Sequence, residues 1–185
     1  MSELWASSHV VVATGAVGAL PDIPYVGLCF TMPDVLWPIF RQNRNLLHDL
    51  AALGAAAIQE WVKARYGVRL HVLVVTHTFG RHLNFHPHLH ILISRGGLQE
   101  SEGRWIPTLS FEKQGIMQIW REALIAYLWE ALKATELNVD LNRESVRAIL
   151  KTQYGRNLEH LHRSLPVKIT VLAICRPVHS PAPDC

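Results

Sequence analysis

Apolar positions recur along this chain with two alternating periods. Tyr25 to Thr31 (YVGLCFT), Leu70 to Thr78 (LHVLVVTHT) and Phe85 to Ile93 are short apolar runs of strand length. Between the first two, Leu46, Leu47, Leu50, Leu53, Ala57, Ile58, Trp61 and Val62 repeat at spacings of three and four. This is the stripe of an amphipathic helix within residues 36–66, and Gly67 supplies its stop. A second stripe, Ile116, Ile119, Trp120, Ala123, Leu124, Tyr127 and Leu128, predicts a helix from Phe111 to Thr135 capped by Ser110. A further helix is expected over Arg143 to Tyr154. Phe79 to Asn84 reads as a turn joining two strands into a β-hairpin, Arg95-Gly96-Gly97 closes the third strand, and Trp105 to Leu109 reads as a short strand. The expected fold is α+β, an antiparallel sheet with a central hairpin and helices packed on it.

Length and composition change this picture little. With 185 residues, 49% of them hydrophobic, the chain suffices for one ordinary domain. Residues 1–20, rich in Ala, Gly and Val, form a leader of unclear structure, and the pattern degrades again after Gly155 into a tail holding Pro177, Pro181 and Pro183. The apolar stretch from Val10 to Leu20 is too short for a membrane span, and no Lys or Arg precedes it. Three cysteines, at 29, 175 and 185, without a Cys-x-x-Cys pair, leave neither a disulfide framework nor a zinc ribbon. A cytoplasmic protein is expected, and a net charge of +3 suits a polyanionic partner without demanding one.

The chemistry concentrates in His86-Pro87-His88-Leu89-His90. Side chains alternate across a strand, so the three imidazoles share one face and Pro87, Leu89 and Ile91 share the other. Two histidines at i and i+2 lie about 6–7 Å apart along the chain, close enough to clasp one ion. A hairpin centred between residues 82 and 83 places His77 opposite His88. The expected metal ligands are therefore His88, His90 and His77, with His86 as the alternative third. Three imidazoles leave coordination positions open, as a catalytic ion requires. Imidazole alone does not choose the metal, but a phosphodiester substrate makes Mg²⁺ or Mn²⁺ the expected ion. Asp34, Glu102 and Glu112 are auxiliary candidates. For DNA binding, Arg41, Arg44, Arg81, Arg95 and Arg104 are candidates to track a phosphate backbone, and Phe79 or Trp105 to stack a base. Arg81 and Arg95 are favoured, on the expectation that both lie at the hairpin end that bears His88.

The string H-T-F-G-R-x-L-N-x-H-P-H-L-H-I-L-I-S-x-G-G-L, from His77 to Leu98, resembles the core of the rolling-circle, two-tyrosine transposases of bacterial insertion sequences. These are of the HUH class, in which U is a hydrophobic residue. The likeness extends upstream through PDIPYVGLCFTMPDVLWPIFRQNRNLL and downstream through GRWIPTLSF, covering roughly residues 20–155. The resemblance implies an HUH endonuclease-like fold over residues 21–155 and a nicking and joining activity on single-stranded DNA at transposon ends. His88 and His90 would be the paired metal ligands. A tyrosine hydroxyl would attack the scissile phosphate to form a 5′-phosphotyrosine link.

Two features of the family pattern are missing. Residues 1–20 contain no Cys, so the usual N-terminal zinc ribbon is absent, and no Y-x-x-x-Y segment follows the last helix. Of Tyr25, Tyr66, Tyr127 and Tyr154, only the last is placed late enough to be a nucleophile, and it is a weak candidate. Read one base later, codons allowed for Asn157 to Arg163 can spell IWNIYI. Those for Leu172 to Cys185 can spell LRYAGRYIRRPPI, which restores the two tyrosines. A frameshift near Gly155 or Arg156 is inferred, with residues 156–185 a non-family tail. The expectation is an incomplete transposase copy without its nucleophile. The alternatives are a metal-dependent hydrolase that uses activated water and a non-catalytic DNA-binding remnant. Oligomeric state is not legible.

Overall fold

The computed structural model describes residues 11–12, 21–134, 143–154 and 170–175. Its main sheet has five strands in the order β1 (Val11–Val12), β3 (Val72–Phe79), β4 (Phe85–Ser94), β2 (Tyr25–Thr31) and β7 (Thr170–Cys175). All neighbours are antiparallel except β1, which runs parallel to β3. A two-stranded ribbon, β5 (Gly97–Gln99) with β6 (Arg104–Ile106), follows the hairpin. The helices are α1 (Trp37–Gln42), α2 (Leu46–Tyr66), α3 (Lys113–Lys133) and α4 (Arg143–Tyr154). The α+β architecture with its central hairpin is thus as the sequence predicts, and β2 and α4 begin and end where the pattern places them.

One face of the sheet builds the core. Leu89, Ile91 and Ile93 of β4 are at most 2% exposed and pack with Leu50, Ile58 and Val62 of α2. Gly54 permits this approach, since a Cβ there would collide with the Leu89 side chain. The chain leaves α2 at Gly67, whose φ of 64° closes the helix with a left-handed residue. Trp120 of α3 is fully buried against Phe30, 5.1 Å between rings, and its indole N–H donates to the Thr31 carbonyl. The opposite face of β4 carries the histidines.

Two local expectations are corrected. Ser110 does not cap α3, which starts at Lys113 behind Glu112 with no side-chain cap, while the Ser110 carbonyl accepts the Tyr66 hydroxyl at 2.6 Å. The strand expected at Trp105 to Leu109 lies at Arg104–Ile106, and its partner β5 was not expected because three residues are too few to show a period. Of the expected leader, only Val11–Val12 lies within the described residues. Of the expected tail, only Thr170–Cys175 does, adding an edge strand beside β2. No helix among the described residues is long and apolar enough to cross a membrane.

Candidate metal centre

The β3–β4 ladder pairs His77 with His88, as the symmetry of the hairpin requires, and the register shifts only beyond it, between His77 and Phe79. On the other side of β4, β2 pairs Cys29 with His90 and Thr31 with His88. Cross-strand partners share a face, so Cys29, His77, His88 and His90 all border the same patch of sheet.

Within it the two central imidazoles are held nitrogen to nitrogen. His88 is 8% exposed, and its Nδ1 lies 2.7 Å from the backbone carbonyl oxygen of His86. That oxygen can only accept, so Nδ1 carries the proton and Nε2 presents its lone pair. His88 Nε2 then stands 3.1 Å from His90 Nε2. Two metal–nitrogen bonds of about 2 Å to one ion give a separation of this size. Burial, followed by the neighbouring His77 and His88, lowers the pKa of His90, which favours the neutral form that binds metal. His86 is lowered by burial and then by His88.

The third position has a candidate that the histidine pattern did not include. Among the described residues, one set of three potential ligand atoms converges to within 4.8 Å, and it consists of Cys29, His88 and His90. The His77 ring comes close, with centroids 4.4 Å from His90 and 5.3 Å from His88, yet the side chain is exposed and stays outside that set. His86 lies between Trp37, 4.9 Å between rings, and His88, 5.0 Å between rings, and it too stays outside that set. Cys29 is a lone cysteine in an apolar strand and shares no motif with the histidines. It reaches the imidazoles only through the β2–β4 register, which sets it opposite His90. Burial raises the Cys29 pKa.

The acidic candidates do not join. Glu102 pairs with Arg104 and Glu112 with Arg65, each at 3.2 Å, and Asp34 is exposed in a short 3-10 turn. The three tyrosine hydroxyls described are engaged elsewhere: Tyr25 with the Pro21 carbonyl, Tyr66 with that of Ser110, Tyr127 with Asp49 at 2.8 Å. Tyr154 ends α4, and its side chain lies outside the described residues, as do the tail positions of the inferred tyrosine pair other than those in β7.

The arginines divide between the two ends of β4. Arg81 sits in the hairpin turn, near the end where Arg41 lies over the Phe85 ring at 5.9 Å. Arg95 follows the other end of the strand, so the expectation that it accompanies Arg81 is corrected. Ten residues of β4 separate the two by roughly 30 Å. Arg104 and Trp105 belong to that distant end, where Trp105 neighbours His71.

The fold thus displays a histidine pair, a cross-strand thiol and a cationic hairpin end, and comparison with known proteins gives them a setting. The Y2_Tnp family model, described as "Putative transposase", matches residues 72–168. The chain is 43% identical over 109 residues to the "Transposase for insertion sequence element IS801" of Pseudomonas savastanoi pv. phaseolicola, covering 59% of this chain and 26% of that protein. It is 26% identical over 124 residues to "Putative transposase y4qJ" of Sinorhizobium fredii (strain NBRC 101917 / NGR234), covering 64% and 31%. It therefore spans about a quarter to a third of the length of these curated relatives. No solved structure matches. The family match takes in both hairpin strands and every histidine of the cluster, and it establishes that this chain belongs to the Y2_Tnp family of insertion-sequence transposases.

Proposed function

We propose that the chain carries the metal-dependent core of a single-stranded-DNA endonuclease and strand transferase of a bacterial insertion sequence, acting at transposon ends in the cytoplasm. The observation that carries this reading is the opposition of His88 Nε2 and His90 Nε2 at 3.1 Å, with His88 oriented by the His86 carbonyl. Two imidazoles pointed at each other beside an exposed cationic hairpin end suit an ion that meets a phosphate. His88 and His90 would hold it, with His77 as the third ligand and His86 as the alternative, and with Cys29 joining only around an ion that accepts sulfur, such as Zn²⁺. A divalent ion such as Mg²⁺ or Mn²⁺ there supplies charge neutralisation at a phosphodiester oxygen. Arg41, Arg44 and Arg81 would position the backbone of the strand, with Arg95 touching it only if the DNA runs the length of the hairpin.

The chain bears no Y-x-x-x-Y segment, and the proposal includes that this copy binds DNA without joining to it. Residues 21–155 would be the catalytic-domain fragment, with the leader 1–20 before it and the frameshifted tail 156–185 after it. Incubating the protein with a 5′-labelled single strand and Mn²⁺ tests the reading. Binding without a covalent protein–DNA adduct is expected. An adduct would show a working nucleophile, with Tyr154 the first to replace, and free 5′-phosphate would favour the hydrolase that uses activated water. Absence of both metal and DNA binding would sink the proposal. Nucleotide sequence through Gly155 decides the frameshift, which fails if the shifted frame does not encode the two tyrosine-bearing strings.

A further inference from the structure

Between α1 and the tip of the β3–β4 hairpin lies an open cleft of about 540 Å³, lined by Trp37, Arg41, Arg44, Phe79, Leu83 and Phe85 among others. Its walls are of two chemistries. The apolar part is aromatic and partly unburied, with Phe79 54% exposed and Leu83 83% exposed. The charged part is cationic, since no carboxylate among the described residues lines the cleft. Arg41 lies over Phe85, and neither it nor Arg44 is ion-paired among the described residues.

The backbone at the tip is also unusual. Leu83 has a φ of 57°, a left-handed conformation that a residue with a branched side chain adopts at a cost. The turn is held there by Gly80 N–H donating to the Asn84 carbonyl and Leu83 N–H donating to that of Gly80. A strained turn that displays a leucine and a phenylalanine to solvent spends stability on presentation. Neither side chain contributes to the core.

The cleft adjoins the histidines directly. Trp37, on its wall, lies against His86, and the His86 ring is 5.0 Å from that of His88. A ligand seated on Trp37 and Phe79 would therefore have its neighbouring unit next to the paired nitrogens.

We propose that this cleft is a nucleotide subsite that takes one unpaired base and its phosphate from a single-stranded DNA, immediately beside the phosphate presented to His88 and His90. The inference rests on the reading of single-stranded DNA as substrate and adds where one base is held. Aromatic faces accept any nucleobase by stacking, and unpaired guanidinium groups accept the phosphate. A duplex is excluded, since its base faces are already stacked on one another.

The test is fluorescence anisotropy of labelled oligothymidylate and of an abasic strand of equal length, against wild type, Phe79→Ala and Phe79→Tyr. The subsite predicts that Phe79→Ala weakens binding of oligothymidylate by about 5- to 150-fold. It predicts unchanged affinity for the abasic strand, which keeps the phosphates and loses the bases, and near wild-type binding by Phe79→Tyr. Because Phe79 is half-exposed, the abasic arm also reports that the variant is folded. If wild type binds oligothymidylate and Phe79→Ala binds it equally well, the subsite is wrong while the broader reading stands. If Phe79→Ala weakens both strands alike, the contact is not to a base and the subsite is again overturned. If wild type binds no single strand, the broader reading fails and takes the subsite with it.

Discussion

Cys29 and His90 are cross-strand partners on β2 and β4, and together with His88 they bring sulfur and two imidazole nitrogens within 4.8 Å of one another. Sulfur is a soft ligand, foreign to Mg²⁺ and welcome to Zn²⁺ or Co²⁺. If the thiol takes part, Co²⁺-loaded protein will show visible d–d bands together with a near-ultraviolet sulfur-to-cobalt charge-transfer band. Cys29→Ser is expected to lose the charge-transfer band and keep the d–d bands. The same spectrum in both proteins would assign the third position to His77 instead, and His77→Ala would then alter the d–d bands.

Removing an imidazole should cost metal-linked stability rather than fold. An ion at 100 times its dissociation constant stabilises a folded state by about 2.7 kcal/mol. For a chain of this length that is roughly 5–10 °C in thermal midpoint. Wild type is expected to gain a shift of this order from Mn²⁺ or Zn²⁺, and His88→Ala to gain almost none. A comparable gain in His88→Ala would place the ion elsewhere.

Why the histidines were legible and Cys29 was not follows from what a sequence records. Three imidazoles at alternate positions announce their shared face within one strand, and the symmetry of the hairpin brings in His77 by counting from the turn. Cys29 reaches the same patch through the β2–β4 pairing, whose register is set by packing of Phe30 and Leu89 on the core side and leaves no local mark on either strand. Arg95 is a different case. Arg81 lies in the turn before β4 and Arg95 directly after it, so a strand between them sets them at opposite ends of the hairpin, and their order in the chain already opposes the expectation. Tyr154 was placed correctly at a helix end, but the backbone there says nothing of a nucleophile.

Acidification should weaken the metal-free protein. His90 is lowered by burial and then by His77 and His88, and His86 by burial and then by His88, so both hold fewer protons folded than unfolded once the pH nears their range. Unfolding then takes up protons, and stability declines as pH drops through the unfolded histidine value of about 6.5 until it passes below the lowered folded values. With chelator present, the urea midpoint is expected to fall between about pH 7.5 and about pH 5.5, and His90→Gln to flatten the slope. A midpoint that rises on acidification would reverse the sign of the electrostatics described for this cluster.

Gly96 offers a way to separate the scaffold from the chemistry. A Cβ at this position would collide with the Ile106 carbonyl oxygen and meet Pro107 backbone atoms at 2.9 Å, and backbone cannot swing aside as a side-chain tip can. The Leu109 N–H bonds to the Arg95 carbonyl just before it, and Ser94, fully buried, bonds to the Gly96 carbonyl at 2.7 Å, so the segment is pinned from both sides. Gly96→Ala should therefore destabilise by overpacking, by about 1–3 kcal/mol, and lower the thermal midpoint by roughly 2–4 °C for each of those. The histidines sit toward the other end of β4, so the Co²⁺ spectrum of the folded variant should match that of wild type. An altered spectrum at unchanged stability would mean that the glycine pair reaches the metal centre through the strand, and the separation of scaffold from site argued from these contacts would be lost.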